Sequence, residues 1–228
     1  MPHPAQLPMA LPFAPAFGRS DFVVSPANAQ ALATLDSWRD WPQRKLLLTG
    51  PEGAGKTHLA HVWAAESCAG LVAGGQLAHS DLPTLTAWPA LVVEDADSVA
   101  GDARAEEALF HLHIMIQAAR TPLLLTAQAA PRDWGLRLPD LASRLQACAT
   151  VALRAPDDAL LAAVLEKMFT DRRIPVPDTL IPYLLVRMDR SFAAAQALVE
   201  ALDARSIAAA RPVTRALAAE VLGKRGIE

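Results

Sequence analysis

Cysteine is scarce in this chain: Cys68 and Cys148 are the only thiols in 228 residues, and they lack C-x-x-C spacing. Two such residues cannot staple a secreted scaffold, so reduced thiols in a cytosolic protein are expected. No apolar run reaches the length of a membrane span, because charge, Gly or Pro interrupts each within roughly a dozen positions. The basic-then-apolar order of a signal peptide is missing at the N-terminus. A surplus of positive charge is missing as well. The 21 Lys and Arg stand against 24 Asp and Glu, a formal charge of −3, which argues against a surface dedicated to nucleic acid. A histidine metal pair is also lacking: His111 and His113 are i,i+2 in a helical pattern, point to different faces and read as ordinary helix residues.

What is present is a core. With 52% hydrophobic residues the chain suits one α/β domain with a small appendage rather than two full domains. Residues 46–57 read LLLTGPEGAGKT, an apolar β-type run followed at once by Gly50-x-x-x-x-Gly55-Lys56-Thr57. A strand ending in this spacing gathers backbone N–H groups around an anion at a helix N-terminus, so the stretch Gly50, Pro51, Glu52, Gly53, Ala54, Gly55, Lys56, Thr57 and His58 is a candidate nucleotide phosphate site. The glycines let the backbone curl around phosphate oxygens, Lys56 reaches toward the β/γ-phosphates, and the Thr57 hydroxyl is placed to ligate Mg²⁺.

Around this loop, β-like and helical patterns alternate. Strands are expected at Lys45–Thr49, Gly70–Ala73, Ala90–Glu94 and Pro122–Thr126, with helices at Thr57–Ser67 and Ala105–Ala119, which implies a parallel sheet covered by helices. Glu94 and Asp95 close the third strand, where a doubly wound sheet places its ligand. One acid would hold the Mg²⁺ shell, the role given to Glu94, and Asp95 could orient an attacking water. After Pro156 the pattern is helical throughout: Asp157–Arg172, Pro177–Arg187, Ser191–Ala209 and Thr214–Leu222, with Asp178 and Thr214 as N-caps. The first eighteen residues, MPHPAQLPMALPFAPAFG, carry five prolines among scattered apolar side chains and are expected to be extended. Composition leaves two fates open for that tail, docking into a partner's groove or packing on its own domain.

Five stretches between Pro4 and Leu145 resemble the DnaA-related branch of AAA+ proteins, and within it the regulatory inactivators of the initiator. Phe22–Asn28 (FVVSPAN) looks like the family's entry segment, Gly50–Thr57 its Walker A and Leu91–Asp95 its Walker B, while Leu138–Leu145 (LPDLASRL) matches the box that carries the arginine finger. Pro4–Leu11 is similar to a sliding-clamp motif, a glutamine followed by spaced apolar residues. The resemblance implies an AAA+ P-loop core at 19–154, a helical lid at 155–228 and a clamp-binding tail at 1–18. It further implies ADP or ATP with Mg²⁺ as ligand, Val24 and Asn28 at the adenine end, and Arg144 as a finger acting on a neighbour's γ-phosphate. Gln6, Leu7, Met9 and Leu11 would meet the β sliding clamp of DNA polymerase III. The implied partners are that clamp and DnaA, with self-association open and neither sequence-specific DNA binding nor membrane attachment expected.

Departures from the pattern carry expectations of their own. Glu94 stands where the initiator has an aspartate and must retract to reach the same ion. Thr126 or Gln128 would sense the γ-phosphate. The sensor 2 arginine is replaced by Ala193, with substitution by Arg190 one turn earlier left open, and its loss should favour the diphosphate over rapid turnover. The chain runs out at Glu228, so the initiator's helix-turn-helix DNA-binding domain is not expected. A self-sufficient remodelling ATPase, resembling a helicase loader, is the alternative.

Overall fold

The computed structural model describes residues 23–225 apart from Ala27, so the tail positions Gln6, Leu7, Met9 and Leu11 lie outside the described residues. Five strands, β1 (Lys45–Thr49), β2 (Gly70–Ala73), β3 (Leu91–Glu94), β4 (Leu123–Ala127) and β5 (Ala149–Ala152), form one sheet in the order β2–β3–β4–β1–β5. Every pairing is parallel; β1 lies between β4 and β5, with Leu47 opposite Leu125 on one side and Thr150 on the other. The central strands are buried along their whole length, which is why KLLLT and LLLTA show no polar alternation.

Alternate residues of these strands feed two separate cores, as a side-chain period of two requires. Leu46, Leu48, Val92 and Leu124 pack with α1 (Ala29–Asp36) and α2 (Lys56–Ser67). Leu47, Leu91, Val93 and Leu125 pack on the opposite face with α4 (Ala103–Ala119) and α5 (Pro139–Gln146), and α3 (Leu82–Thr86) lies alongside. Helix α4 starts two residues before the expected Ala105, because Asp102 caps it and accepts from the Arg104 and Ala105 N–H groups.

The helical C-terminal part holds α6 (Asp158–Asp171), α7 (Leu180–Leu185), α8 (Phe192–Ala209) and α9 (Arg215–Arg225). Asp157 and Ser191 are N-caps of α6 and α8, and Thr214 Oγ1 accepts from Leu217 N at the start of α9. Helix α7 corrects the expectation of a longer Pro177–Arg187 helix capped by Asp178. The N-cap position belongs to Thr179, neither side chain caps, and a turn bond from Leu180 N to Pro177 O takes up the entry. Leu165, Phe169, Leu184, Leu198, Leu202 and Leu217 give this part its own core, which shares no member with those of the sheet. Among the described residues no helix is long and apolar enough to cross a membrane.

Candidate functional site

The phosphate loop is rooted by both neighbours of β1. Gly50 N donates to Ala127 O at 3.2 Å, at the last residue of β4, and Leu153 N donates to Thr49 O at 2.7 Å from the β5 side. A Cβ on Gly50 would stand 2.8 Å from Leu153 O, so only hydrogen fits there. Gly53 and Gly55 have φ of +72° and +94°, the left-handed conformations that glycine adopts without strain. Lys56, 8% exposed, donates from Nζ to Gly50 O at 2.8 Å and Pro51 O at 3.0 Å, which holds its ammonium across the loop. An anionic phosphate oxygen is a stronger acceptor than either neutral carbonyl. Thr57 is exposed in the first turn of α2, Pro51 and Glu52 are exposed, Ala54 is buried and His58 is half-buried.

The acids at the end of β3 sit beside that helix. Glu94 Oε2 lies 3.6 Å from His61 Nε2, and His61 is one turn beyond Thr57 on the same face of α2. Glu94 Oε1 is buried without a hydrogen-bond partner, an orphaned carboxylate oxygen of the kind a cation satisfies. Among the described residues no three His, Cys, Asp or Glu side chains converge as a metal cage, yet Mg²⁺ needs none when phosphate and water fill most of its shell. Glu94 and Thr57 therefore fit the ion. Asp95 adopts φ 47°, ψ 51° and donates its N–H to Thr126 Oγ1 at 2.9 Å, while Asp97 Oδ2 accepts from Gln128 N at 2.8 Å. Two bonds thus tie the acid-bearing turn to the end of β4, leaving the Thr126 hydroxyl proton for another acceptor.

The helical part closes directly on the loop. Phe192 N donates to Gly53 O at 3.2 Å, a Cβ on Gly53 would stand 2.3 Å from Ser191 Cβ, and one on Gly55 would stand 3.1 Å from the Phe192 ring. Ser191 and Phe192 thus meet the loop where Ala193 and Arg190 draw attention in the sequence. Arg190 is exposed and committed elsewhere, pairing with the Asp158 carboxylate at 3.0 and 3.1 Å. Asn28 is turned inward as well. Its Oδ1 accepts from Ser25 N at 2.8 Å and its Nδ2 donates to Val23 O at 2.9 Å, so the amide builds its own loop and leaves exposed Val24 as the open side chain of the segment.

Arg144 stands in the last turn of α5, exposed, with its guanidinium 5.4 Å from the centre of the Phe110 ring. Among the described residues it makes no ion pair. It lies close enough to Lys45 and His113 to perturb both. Lys45 opens β1, roughly 16 Å of strand away from Gly50.

His113 corrects the reading of an ordinary helix residue. It is 3% exposed, and Lys45 Nζ, itself 1% exposed, lies 2.8 Å from its Nε2. Burial first, then the charges of Lys45 and Arg144, push the His113 pKa down to about 4. Burial likewise lowers Lys45 and raises the Cys148 thiol. Neither this pair nor the contacts of His61, Ser191 and Phe192 with the site have a local sequence signal, since each is closed by chain segments far apart.

No family model matches the chain. Among solved structures it is similar to domain III of the Thermotoga maritima replication initiation protein DnaA, at 17% identity and TM-score 0.78, over 94% of this chain and 98% of that one. AMPPCP-bound DnaA from Aquifex aeolicus gives 15% identity and TM-score 0.71 over 83% and 66%. The Thermotoga maritima RuvB Holliday junction branch migration motor gives 18% and 0.68 over 90% and 71%. The chain spans about 65% of the length of a DNA replication initiation factor that it also matches. With a central parallel sheet, a glycine loop after β1 and a helical C-terminal part closing on that loop, the fold is that of an AAA+ P-loop NTPase core followed by a helical lid.

Proposed function

We propose that this chain is an Hda-like regulatory adaptor of replication initiation: a nucleotide-bound AAA+ protein, tethered to the sliding clamp, that presents Arg144 to ATP bound on the initiator DnaA and promotes its hydrolysis. Residues 50–57 hold the phosphates of ADP or ATP, Lys56 exchanging its carbonyl partners for phosphate oxygens, and Thr57 and Glu94 hold Mg²⁺. The ion supplies charge neutralisation between the phosphates. Asp95 and Thr126 fix the end of the sheet beside them. Gln6, Leu7, Met9 and Leu11 of the tail dock on the clamp, and the base (19–154) and lid (155–228) act as the two parts of the nucleotide module.

One observation carries the reading: Arg144 is an exposed cation without a carboxylate partner among the described residues, at the end of β1 opposite the chain's own phosphate loop. A guanidinium placed there serves a second molecule's nucleotide rather than its own, and a finger supplied in trans is worth ~10³ or more in rate. Arg190 is held by the Asp158 carboxylate rather than by the loop, which supports weak turnover by the chain alone. DnaA structures that carry AMPPCP and single-stranded DNA are of the same fold, which supports an adenine nucleotide as ligand and replication as setting.

The test is single-turnover hydrolysis of labelled ATP preloaded on the initiator, with clamp and DNA present. Wild-type protein should accelerate it and Arg144→Ala should not, while keeping its own nucleotide affinity. Full acceleration by the alanine variant would remove the finger from the mechanism. Fast turnover by the protein alone would favour the remodelling ATPase.

A further inference from the structure

Glu106 has no place in the chemistry above, yet its carboxyl group accepts three backbone hydrogen bonds. Its residue is 1% exposed, in the first turn of α4. Oε1 accepts from Gly101 N at 3.1 Å, and Oε2 accepts from both Arg137 N and Leu138 N at 2.9 Å. A buried carboxyl group that receives three backbone N–H bonds holds the donors, those of exposed Gly101 and Arg137 and half-buried Leu138, to its own rigid helix, and losing it releases all three.

The donors belong to two segments far apart in sequence. Gly101 closes the turn that runs from Glu94 and Asp95 into α4, with φ +89°. Arg137 and Leu138 lead into α5, where Leu138 holds the N-cap position and offers no side-chain oxygen to the helix. Glu106 supplies from α4 the acceptor for the N-cap N–H that the third helical residue, a Glu in a capping box but Leu141 here, would supply locally. Just upstream, Gly135 has φ +74° with open space around it, so the approach to α5 has freedom that this carboxyl group removes.

The same face of α4 meets the other end of α5. Phe110, one turn beyond Glu106, lies under the Arg144 guanidinium, and α5 buries only Leu141 and Leu145 of its own side chains. A helix of 8 residues with two buried anchors has its axis set by its ends.

We propose that Glu106 is a positioning residue for Arg144: its carboxyl group fixes the start of α5, and through it the direction in which the guanidinium leaves the surface, and it ties that helix to the turn following the chain's own acidic pair. This rests on the adaptor reading for the reaction it serves. A finger held by a seated helix meets a partner's phosphate already oriented, and misplacement of about 1 Å costs on the order of 100-fold in rate.

The test uses Glu106→Gln, which keeps shape but sets an NH₂ group against backbone donors, and Glu106→Asp, which keeps charge but shortens the reach. With full-length protein, clamp, DNA and ATP-loaded initiator, the maximal single-turnover rate should fall by roughly 10- to 100-fold in Glu106→Gln. The concentration giving half-maximal rate, and the variant's own nucleotide affinity, should stay within about twofold. Amide hydrogen exchange over residues 137–147 should quicken in both variants, while α2 stays protected. Glu106→Asp should recover part of the rate.

If exchange over 137–147 is unchanged in Glu106→Gln, the carboxyl group does not hold α5 and the proposal falls. If exchange quickens but the maximal rate does not move, Glu106 is scaffold only, and the positioning role falls. If wild-type protein itself gives no acceleration, the adaptor reading fails first, visible without any variant, and removes the reaction that Glu106 would serve.

Discussion

A buried lysine stands near each end of β1, and the two are accommodated in different ways. Lys56, just beyond the C-terminal end, donates to the carbonyl oxygens of Gly50 and Pro51; Lys45, at the N-terminal end, faces the imidazole of His113. Carbonyls only accept, so they hold a cation at any pH and yield it when a stronger acceptor arrives. An imidazole holds a cation only while neutral, and once protonated it repels it. The loop end is thus built to exchange one partner for another, and the opposite end is built around a group that must not change its charge. Arg144 sits at that second, fixed end.

The sharpest way to break this division is to remove one cation at a time. Arg144→Ala should lower hydrolysis of initiator-bound ATP by about 10³-fold in single-turnover measurements, with nucleotide affinity of the chain itself unchanged in calorimetry. A loss of both would mean that the two ends are not independent.

Next in size is the effect of acid. The folded His113 pKa of about 4 lies below the unfolded value near 6.5, so the unfolded chain binds the proton more readily. Stability is fully present above about pH 6.5, falls between pH 6.5 and about 4 by about 3 kcal/mol, and is flat below in respect of this group. Urea unfolding at stepped pH should show this slope, and His113→Gln, which keeps an acceptor for Lys45 without the titration, should remove it. An unchanged slope in that variant would place the acid sensitivity elsewhere.

Lys56→Ala sharpens the comparison from the loop side. Removing the main cation on the phosphates should weaken adenine nucleotide by roughly 10- to 100-fold, about 2 kcal/mol, in calorimetry, with the fold retained. Smallest is Arg190→Ala. Its exposed pair with Asp158 is worth less than about 1 kcal/mol, and nucleotide affinity should move by less than twofold. A larger drop would restore Arg190 as a contact of the phosphates.

These outcomes divide along the line that separates what the sequence announces from what it does not. The phosphate loop, the strands that lead to it and the acids ending β3 are local patterns: each is a run of neighbours whose spacing is the mechanism. The cap Thr214 is legible for the same reason, whereas Asp178 misleads and the caps Asp157 and Ser191 emerge only from the structure. Helix α5 is not foreseen, because the resemblance marks Leu138–Leu145 only as the box that holds Arg144, and eight residues with two buried leucines are too short to stand out as a helix. Strand β5 escapes because ATVA is a half-exposed edge of four residues. The pair Lys45–His113 spans 68 positions and the bonds from Arg137 and Leu138 to Glu106 span 31 and 32, and no local window contains both partners. Asn28 shows the converse, a recognisable residue whose amide is consumed by its own turn.

The separate core of the helical part has a mechanical consequence. Since Leu165, Phe169, Leu198 and Leu217 belong to a core of the helical part's own, swinging α6–α9 away from Gly53 would open a seam and leave that core packed. The energy of the hinge and the energy of the hinged body are then separate quantities. Thermal hardening of that body would raise its melting point without making it a slower door, whereas trimming the Phe192 ring would loosen the door and leave the body as hard as before.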